Sequence, residues 1–139
     1  MRIRTVVAGA VAAFGIAALG AATAGQAAAV TPEFRPEIGL YGALDLNHSE
    51  TVALSKSPIP AVLDGLWQSN GLIDADPTSW YLDEDGSHLY GNISDIVAEA
   101  ADSPNGMVAI GIVDPVRLYH GHVDPADANR NLLVYQMLR

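Results

Sequence analysis

The chain has 139 residues, half of them hydrophobic, and sixteen acidic against seven basic residues give a net charge of −9 at neutral pH. Such a surface repels nucleic acid and anionic lipid, so a nucleic-acid binder is not expected. There is no cysteine, which removes disulfides, a thiol nucleophile, a lipid-anchor acceptor and cysteine-ligated zinc together.

An export segment opens the chain. Met1-Arg2-Ile3-Arg4 supplies a positive start, Val6 to Ala22 an uncharged Ala/Gly/Val stretch, and Ala27-Ala28-Ala29 a small-residue cleavage site. Ala and Gly drive bilayer insertion weakly, which favours a cleaved signal over an anchor. Residues 1–29 are therefore expected to be a signal peptide. The mature protein would be secreted, extracellular or associated with the cell envelope, with no membrane insertion after cleavage. Arg outnumbers Lys six to one beside abundant Ala and Gly, a usage that suggests a GC-rich bacterial genome.

Residues 30–37 hold two prolines and no apolar period, and are expected to be an extended, mobile leader. A single domain over 38–139 follows. Ile38 to Leu46 reads as a first strand. Asn47 with Glu50 forms a capping-box pair for a short helix reaching about Lys56. Ser57 and Pro58 start a second helix, in which Ile59, Val62, Leu63, Leu66 and Trp67 make one apolar stripe and Gly71 is the stop. Ser79–Leu82 and Ser87–Tyr90 flank Asp83-Glu84-Asp85-Gly86 as a β-hairpin. Ile93, Ile96, Val97, Ala100 and Ala101 repeat the helical spacing behind an Asn92 or Ser94 cap. Met107–Val113 reads as a central strand, Val116–Tyr119 as another, and Leu132–Leu138 as the last, with one helical turn after Asp124-Pro125. This order predicts an α+β fold: a small, mostly antiparallel sheet with two or three helices on one face.

The candidate chemistry is sparse. In a strand, His120, His122 and Asp124 fall at i, i+2 and i+4 on one face, where two imidazoles and a carboxylate suit zinc. Gly121 and a capping role for Asp124 weigh against that arrangement. Asp74, Asp76, Thr78, Asp83, Glu84 and Asp85 form an oxygen-rich stretch. Read as a calcium loop from Asp74, it puts Ser79 at the glycine position and Pro77 inside the loop, so the EF-hand pattern fails. His48-Ser49-Glu50 are adjacent on one helical turn and cannot form a relay. There is no Gly-x-Ser-x-Gly elbow, and Lys56 lies outside any phosphate-loop pattern. No pair among the sixteen acids stands out for glycoside cleavage. Asn47-His48-Ser49 and Asn92-Ile93-Ser94 match the glycosylation triplet, but helix capping accounts for both.

Among the aromatics, Trp80 and Tyr81 should point to opposite faces of their strand, leaving one exposed beside Tyr90 as a contact surface. The expectation is a small secreted acidic domain without a cofactor or evident catalytic motif, acting through contacts with a protein or envelope component. Two alternatives stand beside it: a small metal-dependent hydrolase built on His120 and His122, and a carrier of a small apolar ligand.

Overall fold

The computed structural model describes residues 31–86 and 88–138; the expected signal segment lies outside them. The fold is α+β, a single five-stranded, mostly antiparallel sheet with its three longer helices on one face. Its strands are β1 (Thr31–Arg35), β2 (Leu40–Leu46), β3 (Gly71–Asp74), β4 (Met107–Val113) and β5 (Leu132–Met137). The helices are α1 (His48–Ser55), α2 (Ile59–Asn70), α3 (Ile93–Asp102) and the one-turn α4 (Pro115–Leu118). Strand order is β1-β2-β4-β5-β3, and only the β3–β5 pair is parallel.

Period-two alternation divides the sheet into two chemically different faces. Leu46, Val108 and Val134 lie under the helices with Leu54, Leu63, Trp67, Ile93, Ile96, Val97 and Ala100. α3 sits at the centre of this layer, contacting α1, α2, β4 and β5. Its Ile96, Val97 and Ala100 are fully enclosed, as the helical spacing predicts. Asn47 with Glu50 forms the expected reciprocal capping box, and of the two candidate caps for α3 it is Asn92, not Ser94, that serves, in a second box with Asp95.

Several elements differ from expectation, each for a local reason. Residues 31–35 form a paired edge strand rather than a free leader, because an edge strand tolerates Pro32 without a ladder donor. A 3-10 turn at Pro36–Ile38 then ends at Gly39, whose φ of 87° is left-handed. In α2 Pro60, Leu63 and Trp67 are buried and Ile59 packs against the core, while Val62 and Leu66 are 59% and 49% exposed. The hairpin at 82–89 reduces to one bridge, Leu82 with Leu89. Val116–Leu118 is helical, not extended: Pro115 occupies the first turn and Asp114 Oδ1 accepts from Arg117 N at 3.1 Å. After Asp124 there are turns rather than a helix, with Ala126 N donating to Asp124 Oδ1 at 2.8 Å. β3 was not foreseen. It is four residues long and borders β5 in parallel.

Polar side chains also lie under the helices, among them Thr51 and Gln136. Gln136 is buried on the core face of β5, where its Nε2 donates to Ile96 O at 3.0 Å and to Glu99 Oε2 at 2.8 Å. Glu99 also accepts from Ser79 Oγ at 2.6 Å and Trp80 N at 2.7 Å. A single carboxylate thus ties the 76–80 loop to α3 and β5.

Candidate functional site

The predicted aromatic surface divides as strand-like geometry suggests. Trp80 is 90% exposed and Tyr90 is 77% exposed, whereas Tyr81 packs against the helix-side core. Although this segment is a turn and not a strand, Glu99 holds its backbone and so fixes where the Trp80 ring projects.

The predicted metal residues occupy a different geometry from the one assumed for them. Residues 120–124 continue the C-terminal turn of α4: Gly121 N donates to Val116 O at 2.7 Å and His122 N to Tyr119 O at 2.9 Å. His120 itself has a left-handed φ of 53°. Side chains there do not alternate as in a strand. Among the described residues, the potential ligand atoms gathered within 4.8 Å are those of Asp83, Asp85 and His88, not His120, His122 and Asp124. His88 Nδ1 lies 3.0 Å from Asp83 Oδ2, and His88 N donates to Asp83 Oδ1 at 3.1 Å, contacts that close the turn. The rest of the oxygen-rich stretch is spent on backbone and wall contacts. Asp76 accepts from Thr78 N at 2.9 Å and Leu138 N at 2.9 Å; Asp74 accepts from Tyr119.

The concave feature that sequence reasoning missed lies on the sheet face away from the helices. Pairing registers align Asp45, Ala109, Tyr135 and Asp74 in one row across β2, β4, β5 and β3. The next row on that face holds Glu33, Ala43, Gly111 and Leu133. Ala43 on β2 and Ala109 and Gly111 on β4 are small, so beside Asp45 the floor is recessed for want of side chains. A bulge between Leu40 and Gly42 lets Leu40 and Ala43 serve the same side. Leu118 and Tyr119, carried by α4 and its exit, form the wall. The result is an open cleft of about 310 Å³ lined by these residues, at the lower end of the size range for small-ligand sites.

Carboxylates occupy its rims. Asp45 stands at one side with Glu33 beside it, and burial, then the charge of Glu33, raises the Asp45 carboxyl above its ordinary value. Glu33 is shared outward with Arg35, whose Nη1 lies 3.5 Å away. At the other side Tyr119 donates to Asp74 Oδ2 at 2.8 Å. Burial foremost, with this bond and the Asp74 charge, drives the Tyr119 phenol well above its usual range. It stays a protonated donor at any physiological pH.

Asp45 and Asp74 are three strands apart, about 14 Å at Cα for a spacing of about 4.8 Å. Glu33 stands beside Asp45 on the same rim. What this arrangement offers is an apolar bed between two acceptor-bearing edges. The alternation of large Val108 and Ile110 with small Ala109 and Gly111 was the available sequence signal for the recessed floor. Comparison with known proteins finds no matching family model, no similar curated protein and no similar solved structure.

Proposed function

We propose that this chain is a small exported binding protein without catalytic activity, holding a compact organic ligand in the cleft on the open sheet face. The observation that supports this reading is the cavity itself, about 310 Å³ with Ala43, Ala109, Gly111, Leu40, Leu118 and Leu133 as apolar lining. Pockets of this size and character, apolar with a few polar groups at the edges, suit small molecules. Export rests on the N-terminal segment of the sequence. Ala109→Leu tests the reading, because the added side chain fills the floor while every rim carboxylate is retained. Amide and methyl NMR shifts of Ala43, Gly111 and Leu133 should respond to a ligand in the wild type and not in the variant. Ligand-induced shifts confined to another face would refute the placement.

A second reading, contact with a protein or envelope component, has its own support in Trp80, 90% exposed on a backbone pinned by Glu99. Rigid exposed tryptophan is a frequent anchor of interfaces. A partner recovered by pull-down from culture supernatant or envelope fractions should be lost with Trp80→Ala, and an undiminished catch would remove Trp80 from the contact.

A further inference from the structure

We infer that the ligand of the open-face cleft is a diammonium compound: two protonated amines joined by an apolar chain, one at the Asp45 rim and the other at the Asp74 rim. This inference rests on the cleft being a binding site and adds the chemical class of its occupant.

The two ends of the cleft carry the same sign. Asp45 and Glu33 mark one rim and Asp74 the other, and no Lys, Arg or His is among the lining residues. An anionic ligand would meet repulsion at both ends, on a chain already at −9. A neutral apolar ligand would satisfy the floor yet leave Asp45 as it is, partly desolvated beside another carboxylate. An ammonium placed there offsets both effects at once, since an opposite charge favours the ionised carboxylate. At the far rim the Tyr119 phenol already donates to Asp74 Oδ2, which orients that carboxylate and leaves its remaining acceptor capacity for a cation. A carboxylate has about four lone-pair sites, so one donor does not saturate it.

The register sets the length. Asp45 and Asp74 lie in one cross-strand row with only Ala109 and Tyr135 between them. The span is about 14 Å at Cα, shortened where the side chains lean inward. A straight methylene chain across Ala109, with Gly111, Ala43 and Leu133 alongside, would bury its length on the floor. Tyr135, 40% exposed, stands in the row between Ala109 and Asp74, so the methylene chain passes against its ring to reach the far rim. A cation with a single charge reaches only one rim.

The experiment compares 1,8-diaminooctane, octylamine and 1-octanol by calorimetric titration of the folded domain at neutral pH and low salt, where exposed charges are least screened. The diamine should bind at least about tenfold more tightly than octylamine, as a charge-assisted bond at the second rim would give. Asp45→Asn should erase that margin, bringing the diamine close to octylamine. Ala109→Leu, which keeps every rim charge, should abolish binding of all three; unchanged diamine binding there would mean diffuse attraction to an acidic surface and overturn the inference. Equal binding of octanol and diamine would overturn the diammonium assignment while upholding the cleft. Equal binding of octylamine and diamine would overturn the two-ended geometry. No binding by any of the three would overturn both the inference and the cleft reading beneath it.

Discussion

Removing the Glu99 carboxylate should cost this domain about 2–4 kcal/mol, by an accounting that follows each of its three donors. Glu99 accepts from Ser79 Oγ at 2.6 Å, Trp80 N at 2.7 Å and Gln136 Nε2 at 2.8 Å. Bonds to a charged acceptor each contribute about 1.5–3 kcal/mol, but the losses in Glu99→Ala are unequal. The Gln136 amide keeps its bond to Ile96 O at 3.0 Å, and water can reach the backbone of exposed Trp80. Ser79 is buried, so its hydroxyl would be stranded at a cost of about 1–3 kcal/mol. One stranded donor plus two weakened ones gives the stated total, a large share of the 5–15 kcal/mol typical of a domain. Urea unfolding followed by tryptophan fluorescence measures it directly, and Tm should fall by about 8–32 °C at about 4–8 °C per kcal/mol. Trp80 should also gain mobility, visible as lower fluorescence anisotropy, since its backbone anchor is gone. A destabilisation under about 0.5 kcal/mol, with Trp80 anisotropy unchanged, would refute the view that this carboxylate holds the loop.

Three more outcomes follow from particular sites. Ile96→Ala, at a fully enclosed position in the helix-side core, should cost about 2–5 kcal/mol in chemical denaturation; a cost below 1 kcal/mol would mean the layer repacks freely. Gly65→Ala should stabilise by about 0.5–1 kcal/mol, because an added Cβ there meets nothing within 4 Å on an exposed helical turn. A lower Tm would contradict that. Asp45→Asn should be more stable than wild type at neutral pH. The native Asp45 carboxyl is raised above its ordinary 3.8, so its contribution is full below pH 3.8 and is lost as pH rises through the native value. Facing it are Glu33 on β1, with Arg35 beyond, and Tyr135 and Asp74 across the row. The Tm gap between variant and wild type should close below pH 3.8, and a gap that widens on acidification would reverse the assignment.

How much of this was legible beforehand depended on whether the determinant was local. Asn47 and Glu50 cap their own helix, Asn92 was one of two caps open for the later one, and Met107–Val113 is apolar enough to be a strand in any context, so these were readable from neighbours in sequence. β3 was not, because Gly71–Asp74 has neither length nor alternation and exists only through its pairing with Leu132–Tyr135. The same holds for α2, whose five-residue stripe overstated burial: it reaches the core through Leu63 and Trp67, and no partner covers Val62 or Leu66. The cleft was the hardest to anticipate. Asp45 and Asp74 are 29 positions apart in the chain and become neighbours along one row only after β4 and β5 come between them. The metal reading of His120 and His122 assumed an extended backbone that Pro115, Asp114 and the tight turn after α4 replace.

The place of β5 within the sheet bears on the order in which the fold can assemble. This strand comes last in the sequence, yet it lies inside the sheet, flanked by β4 and β3. Until Leu132–Met137 is available, β3 has no neighbour and Gln136 cannot meet Glu99, so a nascent polypeptide lacks the ladder that locks its two halves together. Distant pairings of this kind slow folding. Closure of the sheet therefore waits on Leu132–Met137, and the described residues cannot complete their core face until that strand joins.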